Sequence, residues 1–310
     1  MIDPKVRAKE RIHENLPPDL KKLMEKYILP EEEHLRVLRD IKETSYAGKK
    51  PVKNPKVTIV VGQTGSGKSN LTASLYRKDG NMVIIDSDAY KAYRGDSEEI
   101  LKNHLVEYAY LTAPDAYLHR DEMIVDAMDK RYNILMEIAP SQKEGLFVDT
   151  SQLIDAGYGV EICVLGVSSL NSLLSVHERY EAKMQINDKA AKLTGIGRHD
   201  DSFEALGRVI KEAQKTPKID INVFERGRTY QYVPNLIYSS KSNERRFSCA
   251  LEALMYTQQT DGKMTMQNFE DRYKTVKMQM NNRNAPEAQK EQLVQVWERY
   301  EKIREKGIEY

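Results

Sequence analysis

The chain has 310 residues, enough for one large domain or two smaller ones with a buried core. Its 48 Lys and Arg residues nearly balance 47 Asp and Glu residues, so a net charge of +1 argues against nucleic acid or an anionic membrane as partner. The two cysteines lack metal-ligand or disulfide-framework spacing, and no signal peptide or membrane-length apolar run is seen, so we expect a cytoplasmic protein.

The first 50 residues are charged and carry helical apolar spacing, interrupted at Pro30. A polar, proline-bearing linker at 48–55 leads into an apolar run that begins at Val57. The predicted domains are therefore an N-terminal helical segment (1–50), a nucleotide-binding domain (56–240) and a C-terminal helical extension (241–310).

A complete phosphate-binding loop follows the first predicted strand. Residues 62–69 fit the pattern G-x-x-x-x-G-K-[ST], with an apolar strand before them and a helical segment after them. Glycines let the backbone point its N–H groups at phosphate oxygens, while Lys68 adds a charge and Ser69 a hydroxyl for Mg²⁺. We predict ATP and Mg²⁺ as cofactors. The predicted ATP-binding residues are Gly62, Gln63, Thr64, Gly65, Ser66, Gly67, Lys68 and Ser69.

Further apolar runs predict strands at 82–85, 132–136, 160–165 and 219–224, most of them separated by helices of crossover length. Aromatic and apolar residues at 230–238 favour an extra strand or hairpin at the sheet edge. Beyond residue 240 we predict three helical segments. Two of them carry apolar stripes that we assign to the core: Phe269, Tyr273, Val276 and Met280, then Leu293, Val296, Trp297 and Tyr300. The predicted fold is α/β, a P-loop NTPase or kinase fold with a mostly parallel sheet flanked by helices, plus N- and C-terminal helical additions.

Three acidic residues follow the predicted strands, where parallel sheets bind their ligands. A phosphotransferase needs one carboxylate to take the proton of the acceptor hydroxyl, and often another to hold Mg²⁺ through water. We therefore predict Asp88 as the base and Asp86 as the indirect metal ligand, with Glu137 at the end of another strand. Alternatively, the two aspartates only cap the next helix.

An ordered set of motifs resembles a known family. The set comprises the loop at 61–69, Val-Ile-Ile-Asp-Ser-Asp-Ala-Tyr-Lys at 83–91, Tyr-Asn-Ile-Leu-Met-Glu at 132–137, His-Glu-Arg-Tyr-Glu at 177–181 and Gly-Ile-Gly-Arg-His-Asp at 195–200. Over about residues 56–240 the chain is similar to the zeta toxins, P-loop kinases that phosphorylate UDP-N-acetylglucosamine on its sugar. The resemblance implies that Asp88 is the general base and that Glu137 helps to hold the substrate. It also implies that Arg179 and Arg198 grip the phosphates, and that a toxin has an antitoxin whose helix covers the ATP site.

The arginine roles also agree with elementary chemistry, because a guanidinium is always charged and can bind two phosphate oxygens. For Arg179, on a predicted helix at 170–184, the alternative is a salt bridge with Glu178 or Glu181. For Arg198 we predict a glycine-hinged loop that closes over phosphate, and the alternative is an ordinary exposed loop arginine.

The residues that follow Arg198 carry a weaker signal. They are His199, Asp200 and Asp201, and the two acids are explained well as caps of a helix.

The leading hypothesis is a small-molecule kinase that acts on a nucleotide sugar. The acceptor could instead be another sugar, a nucleoside, a dinucleotide or a nucleic-acid end, the last disfavoured by the near-neutral charge. A different class is a nucleotide-dependent switch or binding module, for which Leu-Phe-Val-Asp at 146–149 superficially supplies a metal-binding strand. The segment 144–156 fits a helix better.

Overall fold

A computed structural model describes residues 4–10, 16–104, 107–143, 145–146, 148–186, 188, 191–227, 233–243 and 246–306. The strands in these ranges are β1 (Lys56–Val61), β2 (Met82–Ile85), β3 (Asn133–Ile138), β4 (Gly159–Gly166), β5 (Ile219–Glu225) and β6 (Asn235–Ser239). The α-helices in the same ranges are α1 (Pro4–Lys9), α2 (Pro18–Lys26), α3 (Glu31–Tyr46), α4 (Lys68–Lys78), α5 (Ser87–Tyr90), α6 (Ser97–Asn103), α7 (Tyr108–Leu111), α8 (Ala113–Asp129), α9 (Thr150–Asp155), α10 (Ser169–Gln185), α11 (Ile196–Gln214), α12 (Ala250–Asn282) and α13 (Glu287–Glu305).

The chain divides into two compact units. The first comprises Met1–Lys56 and Asp79–Met136, and the second comprises Val57–Lys78 and Glu137–Tyr310. The phosphate-binding loop therefore belongs to the second unit. The predicted domains at 1–50, 56–240 and 241–310 are continuous segments of the chain, whereas each compact unit combines two separate segments. The predicted division therefore stays a prediction.

The fold is α/β with a mostly parallel six-stranded sheet flanked by helices, as predicted. In the first unit β2 runs parallel to β3, with Met82 opposite Asn133. In the second unit β1, β4, β5 and β6 follow one another in that order. β4 and β5 are parallel, and β6 pairs antiparallel with β5, which confirms the extra edge strand. Residues 230–232 of that prediction lie outside the described residues.

β1 and β4 form because β-branched and apolar residues are buried on both faces. Within β4 every residue from Ile162 to Gly166 is buried, as is usual for a parallel strand covered on both sides. None of the helices in the described part of the chain combines the length and apolar character needed to cross a lipid bilayer.

The two long C-terminal helices pack on α10 through the predicted apolar stripes. One buried cluster joins Leu170 and Leu174 of α10 to Phe269 of α12 and Val296 of α13. Both stripes are therefore core, as predicted. The prediction of three helical segments beyond residue 240 is wrong for the described residues, because α12 continues without a break for 33 residues.

Two other boundaries differ from the sequence predictions. The interruption at Pro30 predicts two helices in the first 50 residues, but the described part contains three, and Pro30 is the N-cap residue of the third, α3. The helix predicted over 144–156 begins only at Thr150, because Asp149 caps α9 and accepts hydrogen bonds from the backbone N–H groups of Ser151 and Gln152. Asp149 thus ends no strand, and the strand-borne metal ligand that a switch protein would require is absent at this position.

Candidate active site

The phosphate-binding loop connects β1 to α4 in the second unit. Gly65 has φ +81° and Gly67 has φ +94°, the left-handed region that favours glycine. A Cβ on Gly65 would lie 2.1 Å from the backbone oxygen of Ser172 in α10. Any side chain at this position would therefore clash with α10, which explains why the loop needs glycine here.

Lys68 and Ser69 begin α4, where the N–H groups of the first turn favour anions. The Lys68 ammonium donates hydrogen bonds to the carbonyl oxygens of Gly62, at 2.9 Å, and Gln63, at 3.0 Å. This side chain therefore folds back along the loop, where its charge is available to a bound phosphate chain.

The Ser69 hydroxyl donates to the Glu137 carboxylate at 3.1 Å. Hydroxyl and carboxylate oxygens are the ligands that Mg²⁺ prefers, so this pair fits the ion. No group of three or more His, Cys, Asp or Glu side chains in the described ranges is placed to hold a metal ion. Since Mg²⁺ in kinases is bound by one or two protein groups together with phosphates, the Ser69 site needs no such cluster.

A buried polar network supports the loop from behind. The amide nitrogen of Gln63 donates to the Val167 carbonyl at 2.8 Å and to the Ser172 hydroxyl at 3.0 Å. Ser172 lies 2.8 Å from Nε2 of His199, whose Nδ1 lies 3.1 Å from Asp200. Burial lowers the pKa of His199. A neutral ring that donates from Nδ1 to Asp200 can accept a hydrogen bond from the Ser172 hydroxyl at Nε2.

The network ends in the C-terminal extension. Arg299 of α13 donates two hydrogen bonds to the Asp200 carboxylate, at 2.8 and 2.7 Å. Asp200 lies within α11 and binds Arg299, so the interpretation of Asp200 as a cap of that helix is wrong. The cap position is Gly195, which has extended backbone angles.

Arg198 lies in the first turn of α11 and not in a glycine-hinged loop, so that prediction is wrong. Gly195 lets the chain enter a regular helix at Ile196. The Arg198 guanidinium donates to the backbone oxygens of Ala139, at 2.6 Å, and Pro140, at 2.9 Å, just beyond β3. It also pairs with Asp201 at 3.0 Å, so Arg198 is held beside the strand end that carries Glu137.

Arg179 is exposed on α10 and makes no hydrogen bond or ion pair with any described residue. The two acids that could have neutralised it are engaged elsewhere. Glu178 pairs with Arg272 at 2.7 Å, and Glu181 pairs with Arg283 at 2.7 Å. The predicted alternative of a local salt bridge therefore fails, and the Arg179 guanidinium is available to an anionic ligand.

In the first unit, Asp86 caps α5 and accepts a hydrogen bond from the backbone N–H of Asp88 at 2.9 Å. Loss of hydration and the charge of Asp88 raise the pKa of Asp86. The Asp88 side chain is 81% exposed and contacts the ammonium of Lys91 at 2.5 Å. The cap interpretation thus accounts for Asp86 but leaves the Asp88 carboxylate exposed to solvent.

A family model described as Zeta toxin matches residues 40–237, more than half of the chain. The chain belongs to the zeta toxin family. It is 28% identical over 192 residues to Toxin zeta of Enterococcus hirae, across 61% of this chain and 67% of the relative. It is 27% identical over 212 residues to Toxin PezT of Streptococcus pneumoniae serotype 4, across 67% of this chain and 81% of the relative.

A solved structure from the PezAT chromosomal toxin-antitoxin system of Streptococcus pneumoniae has the same fold, with a TM-score of 0.63 at 21% identity. The match covers 81% of this chain and 98% of that chain. The predicted family and the kinase-like P-loop fold are therefore confirmed.

Within this zeta toxin fold, sequence reasoning missed the residues that support the loop. Ser172 and Arg299 carry no motif, and His199 was singled out only as a weak candidate. Their partners lie 27 and 99 residues away along the chain, so only the packing of α10, α11 and α13 brings them together.

Proposed function

We propose that the chain is an ATP-dependent kinase that transfers the γ-phosphoryl group to a hydroxyl of a small molecule. The observation that carries the proposal is the phosphate-binding loop with Lys68 folded along it and Ser69 bonded to Glu137 at 3.1 Å. Membership of the zeta toxin family supports the same class of chemistry.

In the proposed reaction Asp88 takes the proton of the acceptor hydroxyl. The acceptor oxygen then forms a bond to the γ-phosphorus, and the bond from that phosphorus to the bridging oxygen of ADP breaks. Lys68, Arg179 and Arg198 would stabilise the charge on the transferred group. Mg²⁺, when bound, would neutralise phosphate charge, with Ser69 as a ligand and Asp86 acting through water.

We propose a nucleotide sugar as acceptor, with UDP-N-acetylglucosamine as the first choice and Glu137 as a substrate-binding residue. The hydrogen bond between Ser69 and Glu137 supports this role, because it places the Glu137 carboxylate next to the proposed Mg²⁺ ligand Ser69. Other sugars, nucleosides and dinucleotides remain the alternative acceptors, and a switch without an acceptor remains the alternative class.

The test is mass spectrometry of purified protein incubated with ATP, Mg²⁺ and a panel of UDP-N-acetylglucosamine, other nucleotide sugars, nucleosides and NAD. We expect a phosphorylated nucleotide sugar. Asp88→Asn should lower turnover at least about 100-fold, as expected for loss of a general base, while ATP still binds. Lys68→Ala should lose both turnover and most ATP affinity.

The possible results distinguish between the competing hypotheses. Phosphate on another acceptor would keep the kinase and replace the substrate. Retained turnover in Asp88→Asn would contradict the role of Asp88. ATP hydrolysis without any phosphorylated acceptor would favour the switch.

We also propose that the chain is a toxin with an antitoxin partner, because its relatives are named as toxins. A cytoplasmic location follows, since ATP is available there. The test is growth of a bacterial host that expresses the wild type or Lys68→Ala. Growth arrest by the wild type alone supports the proposal, and equal growth contradicts a kinase-dependent toxicity in that host.

A further inference from the structure

Arg179 lies on the face of α10 that contacts the phosphate-binding loop. A Cβ on Gly65 would lie 2.1 Å from the backbone oxygen of Ser172 and 2.9 Å from the side chain of Val176. Residues 172, 176 and 179 follow the i, i+4, i+7 spacing of one helix face. The exposed Arg179 guanidinium is therefore one turn beyond these contacts, on the side of α10 that faces the loop.

The sequence next to Arg179 is unfavourable for a phosphate ligand. Residues 178–181 contain one arginine and two glutamates, Glu178 and Glu181, so this turn of α10 carries a net charge of −1. Charges act on one another over about 10 Å at 0.1 M salt, and a net negative turn would repel a phosphate chain. If Arg179 is to hold phosphate, other residues must offset the two acids.

Two arginines of α12 offset these acids. Arg272 donates to the Glu178 carboxylate from two nitrogens, at 2.8 and 2.7 Å. Arg283 donates to the Glu181 carboxylate from two nitrogens, each at 2.7 Å. The two guanidinium groups change the net charge of the group from −1 to +1. The whole of α12 lies beyond residues 40–237, which match the family model.

We propose that Arg272 and Arg283 are positioning residues for Arg179. They hold and neutralise Glu178 and Glu181, so that α10 presents a net positive charge to the phosphates. This role rests on the proposed kinase function, in which Arg179 binds phosphate, and it assigns to the C-terminal extension a part in that site.

The contacts of Arg272 lie on a different face of α10 from Arg179. Arg272 also donates to the side-chain oxygen of Asn171 at 2.8 Å and to the Ser175 hydroxyl at 3.2 Å. Residues 171, 175 and 178 form a stripe that precedes 172, 176 and 179 by one position, about 100° around the helix axis. The Glu178 carboxylate is therefore held along α12 and turned away from the Arg179 guanidinium.

The two pairs differ in burial, which decides where the role can be tested. The Glu181 side chain is 1% exposed, so removal of Arg283 would leave a buried acid without its partner and would endanger folding. Glu178 and Arg272 are 34% and 24% exposed. Because this second pair is partly hydrated, it can be broken at much smaller cost. Arg272 is therefore the informative position.

The test uses inorganic tripolyphosphate, which carries the phosphate chain of ATP without the nucleoside. In calorimetric titration of the full chain, Arg272→Met should weaken binding about three- to fivefold, the effect of one uncompensated charge in partly hydrated surroundings. Arg179→Met should weaken it at least about tenfold, because charge-assisted hydrogen bonds are lost. The double variant Arg272→Met with Glu178→Gln should bind as the wild type does, because the acid and its neutralising partner are removed together.

The matched control is Arg304→Met in α13, which removes an arginine that pairs with Glu270 at 3.4 Å in an exposed position. It should bind tripolyphosphate as the wild type does. If Arg272→Met does not fold, the single variant Glu178→Gln decides, because it keeps the contacts of Arg272 with Asn171 and Ser175. Glu178→Gln should bind at least as tightly as the wild type, and weaker binding would overturn the inference.

The inference and the proposed function fail in different ways. A folded double variant that binds as weakly as Arg272→Met would show that Arg272 only attaches α12 to α10, and would overturn the inference alone. Unchanged binding in Arg272→Met would do the same. Unchanged binding in Arg179→Met would overturn the phosphate role of Arg179 and the inference with it. Wild-type protein that does not bind tripolyphosphate would overturn the proposed function itself, and the inference that rests on it.

Discussion

The first unit is held by a buried pair of full charges, whereas the polar network of the second unit is built mainly from neutral groups. In the first unit Arg94 and Asp115 lie 2.6 Å apart, and each side chain is 2% exposed. Arg94 also donates to the Tyr27 carbonyl, and Asp115 accepts from the Leu29 backbone N–H. The pair therefore ties the connection between α2 and α3 to α8.

The second network runs from Gln63 of the phosphate-binding loop through Ser172 and His199 to Asp200 and Arg299. Only its last two members are ionic, and these are about one third exposed, at 30% and 35%. Buried charges are costly to separate, whereas a partly hydrated pair costs little. The first network should thus govern whether its unit folds, and the second should govern how well the loop binds phosphate.

The largest expected effect comes from breaking the buried pair. Among the described residues, Asp115→Ala leaves Arg94 with Asp96 as its one ion-pair partner, and it leaves the Leu29 N–H without its acceptor. We expect the free energy of unfolding to fall by about 3–5 kcal/mol, the cost of an uncompensated buried charge. Urea unfolding followed by circular dichroism measures it.

The matched control in the same unit is Asp40→Ala, which breaks a half-exposed pair with Arg36. That change should cost less than about 1 kcal/mol. Equal losses in both variants would show that the burial of Arg94 and Asp115 contributes nothing special.

Acid should weaken both units through buried histidines, and the largest pKa shifts are those of His119 in the first unit and His177 in the second. Burial lowers the pKa of His119 in the first unit and of His177 in the second, each to about 4. In the unfolded chain these rings take up protons as the pH falls below about 6.5, while in the folded chain they stay neutral until about pH 4. Stability is therefore complete above pH 6.5, and each ring costs up to about 3 kcal/mol as the pH falls to 4.

His177→Leu should remove the part of the acid-induced loss of stability that His177 contributes in the second unit. Neither ring nitrogen of His177 has a hydrogen-bond partner among the described residues, so leucine loses no polar contact. We expect a smaller loss of stability between pH 7 and pH 4 than in the wild type, measured by urea unfolding at several pH values. An unchanged pH dependence would mean that His177 titrates normally in the folded protein.

Breaking the neutral network should cost less stability but more affinity. Ser172→Ala removes one acceptor of Gln63 and the partner of Nε2 of His199, both buried. We expect about 1–3 kcal/mol of destabilisation and a clear loss of tripolyphosphate affinity, because the loop is no longer fixed. Thr275→Ala, an exposed hydroxyl on α12, should change neither property. A destabilised Ser172→Ala variant with normal affinity would assign the network to folding alone.

The core residues of both units can be predicted from the sequence better than the residues of the two polar networks can. The strands were predictable because each is a local apolar run, and the phosphate-binding loop was predictable because its glycines and Lys68 are fixed by spacing. The position of Arg198 inside a helix was not predictable, because Gly195 suits both a hinge and a helix cap. The engagement of Glu178 and Glu181 by Arg272 and Arg283 depends on how α12 packs against α10, which no local pattern records.

The smallest expected effect is at the far end of the network. Arg299→Met keeps the side-chain stem but removes both hydrogen bonds to Asp200, so His199 loses part of its orientation. We expect a loss of stability of no more than about 1 kcal/mol, because the pair is partly hydrated, together with a few-fold weaker binding of tripolyphosphate. Glu212→Gln, which breaks an exposed pair with Lys215 on α11, should leave binding unchanged. If Arg299→Met binds tripolyphosphate as the wild type does, α13 stabilises the second unit through its apolar face alone, and the network that affects the loop ends at His199.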